Sequence, residues 1–293
     1  MSDLRRPARA VLALTAAAVL AGCGHEAEAN QRSHRMRSIT SARQVQGEKA
    51  LDVRVQYGFG TLEVQPAAGD LLYRMDLRYD DQQFRPVSEY DRAAGKLRLG
   101  VEGRERGGRG EHGDAEDEHA SVSLAPSVPM DLSLQFGAGK TEAELGGMSL
   151  TSLSLTTGAS NTVVAFSRPN RVPARQVNVQ AGAAELRMTG LGNTRAERFE
   201  FQGGVGQATL DFSGAWDRNA TARVQMGVGA VRLRLPRSLG VRVSKSSFLS
   251  SFDPTEMVKQ GNAWYSRNWS QAPHRLEISI DAAVGSIDID WVD

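Results

Sequence analysis

A glycine turn between two apolar-alternating stretches occurs seven times in this chain. The cassettes are VRVQYGFGTLEV at 53, LSLQFGAGKTEAEL at 132, LSLTTGASNTVVAF at 153, VNVQAGAAELRM at 177, FEFQGGVGQATLDF at 199, ARVQMGVGAVRLRL at 222 and LEISIDAAVGSIDIDW at 276. The Gln before the turn, or Thr156 in its place, falls at 135, 156, 180, 202 and 225, in steps of 21, 24, 22 and 23 residues. A near-constant period of this size marks a stack of supersecondary units in which each rests on its neighbours.

The alternation changes phase inside each cassette. Phe199, Phe201 and Val205 share one parity, and Ala208, Leu210 and Phe212 the other. The same slip separates Val224, Met226 and Val228 from Val231, Leu233 and Leu235, and Ile278, Ile280 and Val284 from Ile287, Ile289 and Trp291. An unbroken strand alternates strictly, so the slip predicts a bend or bulge that returns the next apolar residues to the same side. Gly58, Gly60, Gly137, Gly139, Gly182, Gly204, Gly206, Gly227, Gly229 and Gly285 stand at these bends, where a missing Cβ allows a sharp backbone corner. The expected fold class is all-β: a β-solenoid of bent strand pairs facing one core, with a repeat of about 22 residues.

The cassette at 132 contains Gly139-Lys140-Thr141, the last three residues of a phosphate-binding loop. That loop needs a glycine at 134, where Leu134 stands, and a helix after the lysine whose free N–H groups meet the phosphate. TEAELGG continues instead as a strand ending in a turn, so no nucleotide is expected. Nucleic acid is excluded on charge: 35 basic and 34 acidic residues give +1, with no dense basic stripe.

Arg5, Arg6 and Arg9 precede the apolar run AVLALTAAAVLAG, which stops at Cys23, the chain's one cysteine. A basic region, a short apolar region and small residues at its end make an export signal, and the run is too short for a membrane span of about 20 residues. The alternative for Cys23 is a buried or stray thiol. LAGC, Leu20 to Cys23, resembles the lipobox of bacterial lipoproteins, which implies a lipidated Cys23 as the first mature residue and anchorage to a membrane. The mature chain then carries 32 basic and 33 acidic residues. Gly24 rather than Asp after the cysteine implies, by the same resemblance, the outer membrane in an organism that has one.

The expected organisation is a signal peptide over 1–22, a flexible tether over 23–48, an N-terminal β unit over 49–103, a charged loop over 104–120, and the solenoid over 121–293. RERGGRGEHGDAEDEHA, in that loop, has no large apolar residue and is expected to be disordered. Residues 241–275 interrupt the period, since Gln225 to the equivalent Asp281 is 56 residues, and read as a cap over the last core layer.

Signals for chemistry are sparse. His112 and His119 with Glu111, Asp114, Glu116, Asp117 and Glu118 form the densest set of potential ligands, but a glycine-rich loop gives them no rigid scaffold, so no metal site and no cofactor are expected. There is no GxSxG elbow, and the remaining histidines are His25, His34 and His274. Phe248, Phe252, Trp264, Tyr265 and Trp269 gather in the cap of a chain that is only 6 % aromatic. They read first as cap packing and second as a partner-contact surface.

With the cassettes in view, VQYGFGTLEVQPAAGDLLYRMDLRYD, FRPVSEYD and GKLRLGV resemble the toast-rack and adhesin-like β-solenoid families of bacterial envelopes. GAVRLRLPRSLGVRVSK and the segment from GNAWYSRNW to the C-terminal Trp291 are similar to the LiaF-like cell-wall stress regulators. The resemblance implies structural motifs and no catalytic residues. LiaF-like proteins are held by transmembrane helices and work with a sensor kinase, whereas this chain has a lipobox. The expected function is a non-enzymatic, lipid-anchored envelope protein with an adhesin-like binding or scaffold role and an envelope protein or glycan as partner. The alternatives are a regulator of a membrane sensor kinase and a carbohydrate-active enzyme, since a solenoid can present carboxylates along a face. Cys23→Ala is expected to move the protein from the membrane to the soluble fraction; unchanged partitioning on cell fractionation would refute the anchor.

Overall fold

A computed structural model describes residues 35–104 and 118–293, except the side chains of Ser247 and Phe248. Its strands are β1 (Met36–Gln44), β2 (Leu51–Pro66), β3 (Leu71–Asp80), β4 (Phe84–Asp91), β5 (Lys96–Gly103), β6 (His119–Leu124), β7 (Met130–Glu144), β8 (Leu150–Ala165), β9 (Gln176–Thr189), β10 (Arg198–Asp211), β11 (Ala220–Pro236), β12 (Gly240–Asp253), β13 (Met257–Gln260), β14 (Ala263–Ser266) and β15 (Arg275–Val292). They pair in the order β1-β3-β6-β2-β7-β8-β9-β10-β11-β15-β12-β14-β13, with β5 joining β2 to β4. Among the described residues the one helical element is a 3-10 turn over Leu191–Thr194, and no helix is long and apolar enough to cross a membrane.

Each long strand must bend, and its connections show why. β7 has 15 residues and would span about 50 Å if straight. Its first residue, Met130, lies opposite Leu150, the first residue of the parallel strand β8. The chain covers Glu144 to Leu150 in six steps, a reach of only about 20 Å. Both ends of β7 therefore lie near the start of β8, and the strand folds back on itself in between. Parallel strands ordinarily need a crossover of a dozen or more residues; here the second half of each bent strand is most of the crossover.

The corner lies at the glycines. Gly206 has φ +134°, and a Cβ there would stand 2.0 Å from the Ala184 carbonyl oxygen of the preceding coil. On either side of the corner, alternate residues point inward. Leu132, Leu153, Val177, Phe199 and Ala222 form one buried row across adjacent strands; Leu186, Ala208, Val231 and Ile287 form another beyond the bend. Val205, Val228 and Val284, expected on the core face, are instead 57 %, 48 % and 43 % exposed. The phase slip occupies the whole segment between the two glycines, so a residue there sits on the outside of the corner whatever its parity.

β2 is the first coil, and its free edge divides at the bend. Asp52–Gln56 pairs with β5, whereas Thr61–Pro66 pairs with β6. The N-terminal β unit and the solenoid are thus joined through β2 and share one core, in which Leu77 and Val101 belong to the same cluster as Phe201 and Ile289.

Three expected boundaries change. The tether expected over 23–48 cannot extend through Met36–Gln44, which pairs antiparallel with β3. Only Met36, Ile39 and Ser41 of β1 are even half-buried; backbone pairing, an Arg37–Asp81 ion pair and the Thr40 hydroxyl donating to Asp76 at 2.6 Å hold it, so it lacks apolar periodicity. Of the charged loop, residues 105–117 lie outside the described residues, and His119 already opens β6. The interruption over 241–275 is no simple cap: β12 is itself a coil, pairing parallel with β15 from Gly240 to Asp253. The period fails because β15 enters the stack between β11 and β12. Signal peptide and Cys23 lie outside the described residues.

Neighbouring coils are also tied by side chains. Asp131 on β7 accepts hydrogen bonds from Thr151 and Ser152 of the next coil and from Arg175, which precedes β9. Burial opposes its charge, but these donors outweigh it and hold the carboxyl below the usual aspartate range. Thr141 is different. It is fully buried in the row of Leu62 and Thr162, and its hydroxyl has no hydrogen-bond partner.

Gly206→Val is expected to lower stability by about 2 kcal/mol or more through backbone strain and the carbonyl clash; an unchanged thermal midpoint would contradict the corner. Thr141→Val keeps the shape and removes a buried unsatisfied hydroxyl, so it is expected to raise stability by about 1 kcal/mol. Chemical denaturation checks this, and a destabilised variant would show that the hydroxyl is satisfied.

Candidate functional site

The in-register stack turns a recurring residue into a row. Gln56 lies opposite Gln135, then come Thr156, Gln180, Gln202, Gln225, Asp281 and Ser246, each on the adjacent coil. These residues immediately precede the corner on the outward-facing parity, and Gln180 and Gln202 are exposed. Stacked amides commonly bond to one another along a ladder; here the side chains of Gln180, Gln202 and Gln225 make no hydrogen bond within the described residues.

Beside this row the surface dips into a broad, shallow and open groove of about 980 Å³. Thr156, Gln180, Gln202, Gln225, Asp281 and Ser246 form its polar side, and Gly182, Gly203, Gly204 and Gly227 with Ala181 and Ala282 contribute its small residues. On the outside of the same corner Val205, Val228, Val284 and Leu249 align on successive coils, and Leu249 is 64 % exposed. A row of amides and hydroxyls, a strip of small residues in which Met226 is the one large side chain, and an aliphatic ridge therefore run together across the strands. The one ionisable lining residue, Asp281, faces Arg223 at 3.3 Å.

The aromatic residues of the cap form two pairs. Phe252 meets Trp264 edge-on at 4.9 Å, and Tyr265 meets Trp269 at 5.5 Å. All four are half-buried, and each has a cation over its ring: Lys245 on Phe252, Lys259 on Trp264, Arg242 on Tyr265 and Arg275 on Trp269. Phe252 also packs against the core. The side chain of Phe248 lies outside the described residues, and the rest are occupied by each other and by these cations rather than presented as one open apolar patch.

Lys140 and Thr141 lie within β7, with Lys140 paired to Glu142 at 2.6 Å and Thr141 turned into the core, so the segment has no phosphate-loop geometry. His119 stands 4.0 Å from Glu63, and the described residues contain no group of three or more His, Cys, Asp or Glu placed to hold a metal; residues 111–117 lie outside them. His274 is half-buried, and its carbonyl accepts the Gly240 N–H.

The groove was not apparent in the sequence as a site. The recurring Gln marks the period, but only the register places each amide directly beside the next. The period of one polar residue at a fixed offset from each glycine was the available signal.

A solved structure shares the fold. The structure of a "putative cell adhesion protein" from Clostridium sporogenes is 15 % identical, covers 88 % of this chain and 100 % of its own, and superposes with a TM-score of 0.50. A "putative adhesin" from Bacteroides fragilis is 11 % identical, covering 86 % and 97 %, with a TM-score of 0.39. Another from Parabacteroides merdae is 9 % identical, covering 88 % and 97 %, with a TM-score of 0.37. Among curated proteins none matches the sequence. The family model for the N-terminal domain of toast_rack, DUF2154, matches residues 28–189 and again 169–234, an overlap natural to a repeating stack, and with most of its length so covered this chain belongs to the toast_rack family.

Proposed function

We propose that this chain is an exported, lipid-anchored envelope protein that acts by binding, in an adhesin-like role, and not by catalysis. The observation that carries this reading is the groove itself, where six coils present polar groups in one row beside small residues. Such a surface can hold an extended partner at many weak points. Its chemistry favours holding over reacting: amides and hydroxyls have no acid–base function near neutral pH, and the lone carboxylate is engaged by Arg223. The fold shared with the Clostridium structure supports the same reading, as does the lipobox at Cys23, which would fix the chain to a membrane with its folded part displayed.

Proteoliposomes carrying the full lipidated chain are expected to co-sediment saturably with purified bacterial envelope fragments. Sedimentation no greater than that of protein-free vesicles would overturn the proposal.

A further inference from the structure

Resting on that reading of the protein as a binding module, we infer that the corner groove takes an uncharged, β-linked glycan laid across the strands, with one sugar to each coil. Neighbouring strands stand about 4.8 Å apart, so Gln180, Gln202, Gln225 and Asp281 form a row whose pitch is close to the length of one pyranose unit in a β-linked chain. A polypeptide lying the same way advances about 3.3 Å per residue and would fall out of step within a few coils.

The donor set agrees with the pitch. An amide offers both a donor and an acceptor, which suits hydroxyls that also do both. The amides of Gln180, Gln202 and Gln225 have no partner among the described residues, leaving that capacity free. Coil stacking explains the glycines but demands no particular side chain on the outward row. Gly182, Gly204 and Gly227 allow a flat ring to approach the backbone, Met226 fills the space beside Gly203, and the exposed Val205 and Val228 next to them can cover the ring's C–H face. No Lys or Arg lines the groove, and Asp281 does, so phosphate- or sulfate-bearing polymers are disfavoured.

Titration calorimetry on the full lipidated chain in detergent micelles, with cello- and chito-oligosaccharides of two to six units as probes, tests the assignment. Affinity is expected to rise with each added sugar as more coils are engaged. The double variant Gln202→Ala, Gln225→Ala is expected to lose at least tenfold in hexamer affinity at an unchanged thermal midpoint, and Gln202→Glu, which keeps the size, to lose several-fold. Absence of hexamer binding, affinity independent of length, or undiminished binding by the folded variants would each overturn the inference. Wild-type protein that co-sediments with envelope fragments yet ignores the oligosaccharides overturns the glycan alone. Failure of both measurements overturns the binding reading as well.

Discussion

The structure depends on how closely one coil's backbone can approach the next at the corner. A Cβ on Gly229 would lie 1.8 Å from the Gly206 carbonyl oxygen, and one on Gly285 would lie 1.7 Å from that of Gly229. These are contacts between main chains that only a missing side chain permits. Without the corner, a strand of this length could not return to its neighbour's start through so short a connection, and parallel coils would have no route to stack. The core follows from the same bend, because it sets the inward faces of both halves of a strand against each other. Where the second glycine is replaced, the substitutes are short: Ser160, Ala184 and Ser250 occupy the equivalent ladder positions. At Ser160 the hydroxyl is buried and bonds to Thr157 and Thr162, so β8 closes its corner with a small polar network.

The locked register has a second consequence on the outer surface. Any residue type kept at a fixed offset from the corner is multiplied into a line along the stack. The Gln row and the valine ridge both arise this way, and both occupy positions where burial exerts no selection for apolar character. A binding surface on such a scaffold needs little beyond one tolerated residue per repeat. Its groups are spaced by backbone hydrogen bonding, so they are positioned before any ligand arrives.

Much of this fold is legible in the sequence because the glycine period and apolar alternation are local patterns. The bend, the seven coils that carry the glycine cassettes and the strand-like nature of the Gly-Lys-Thr segment all follow from them. What escapes is set by distant partners. β1 has almost no apolar face to reveal it, since β3 supplies its hydrogen bonds. β12 lacks the glycine cassette, with Ser246 and Ser250 at the diagnostic positions, so it hides as an interruption. The exposure of Val205 depends on where both glycines place the backbone, which parity counting cannot show. The groove appears only once separate repeats are laid side by side in register.

The position of β15 between β11 and β12 has an electrostatic rationale. The outward residues of β11 include Arg223, Arg232 and Arg234, and those of β12 include Arg242. β15 carries Glu277, Asp281 and Asp290 on its outer side. In the observed order Arg223 meets Asp281 at 3.3 Å, Arg232 meets Asp290 at 3.5 Å and Arg242 meets Glu277 at 3.0 Å. Arg234 reaches the other way, to Asp211 on β10, at 2.7 Å. Stacking β12 directly on β11 in the same register would set Arg223 opposite Ser244 and Arg242 opposite Thr221, so both would lose the carboxylates that β15 gives them. Each exposed pair contributes only about 0.2–1 kcal/mol, yet the attractions that β15 makes with both neighbours add along the strand. Hydrophobic burial points the same way, because β12 sets Lys245 in the row where β15 has the buried Ile280 and ends at Asp253, before the level of the buried Ile289. The acidic, more apolar β15 therefore settles between β11 and β12, and the displaced β12 becomes the last coil, its first residues covered by β14 through the pairing of Arg242–Ser244 with Ala263–Tyr265.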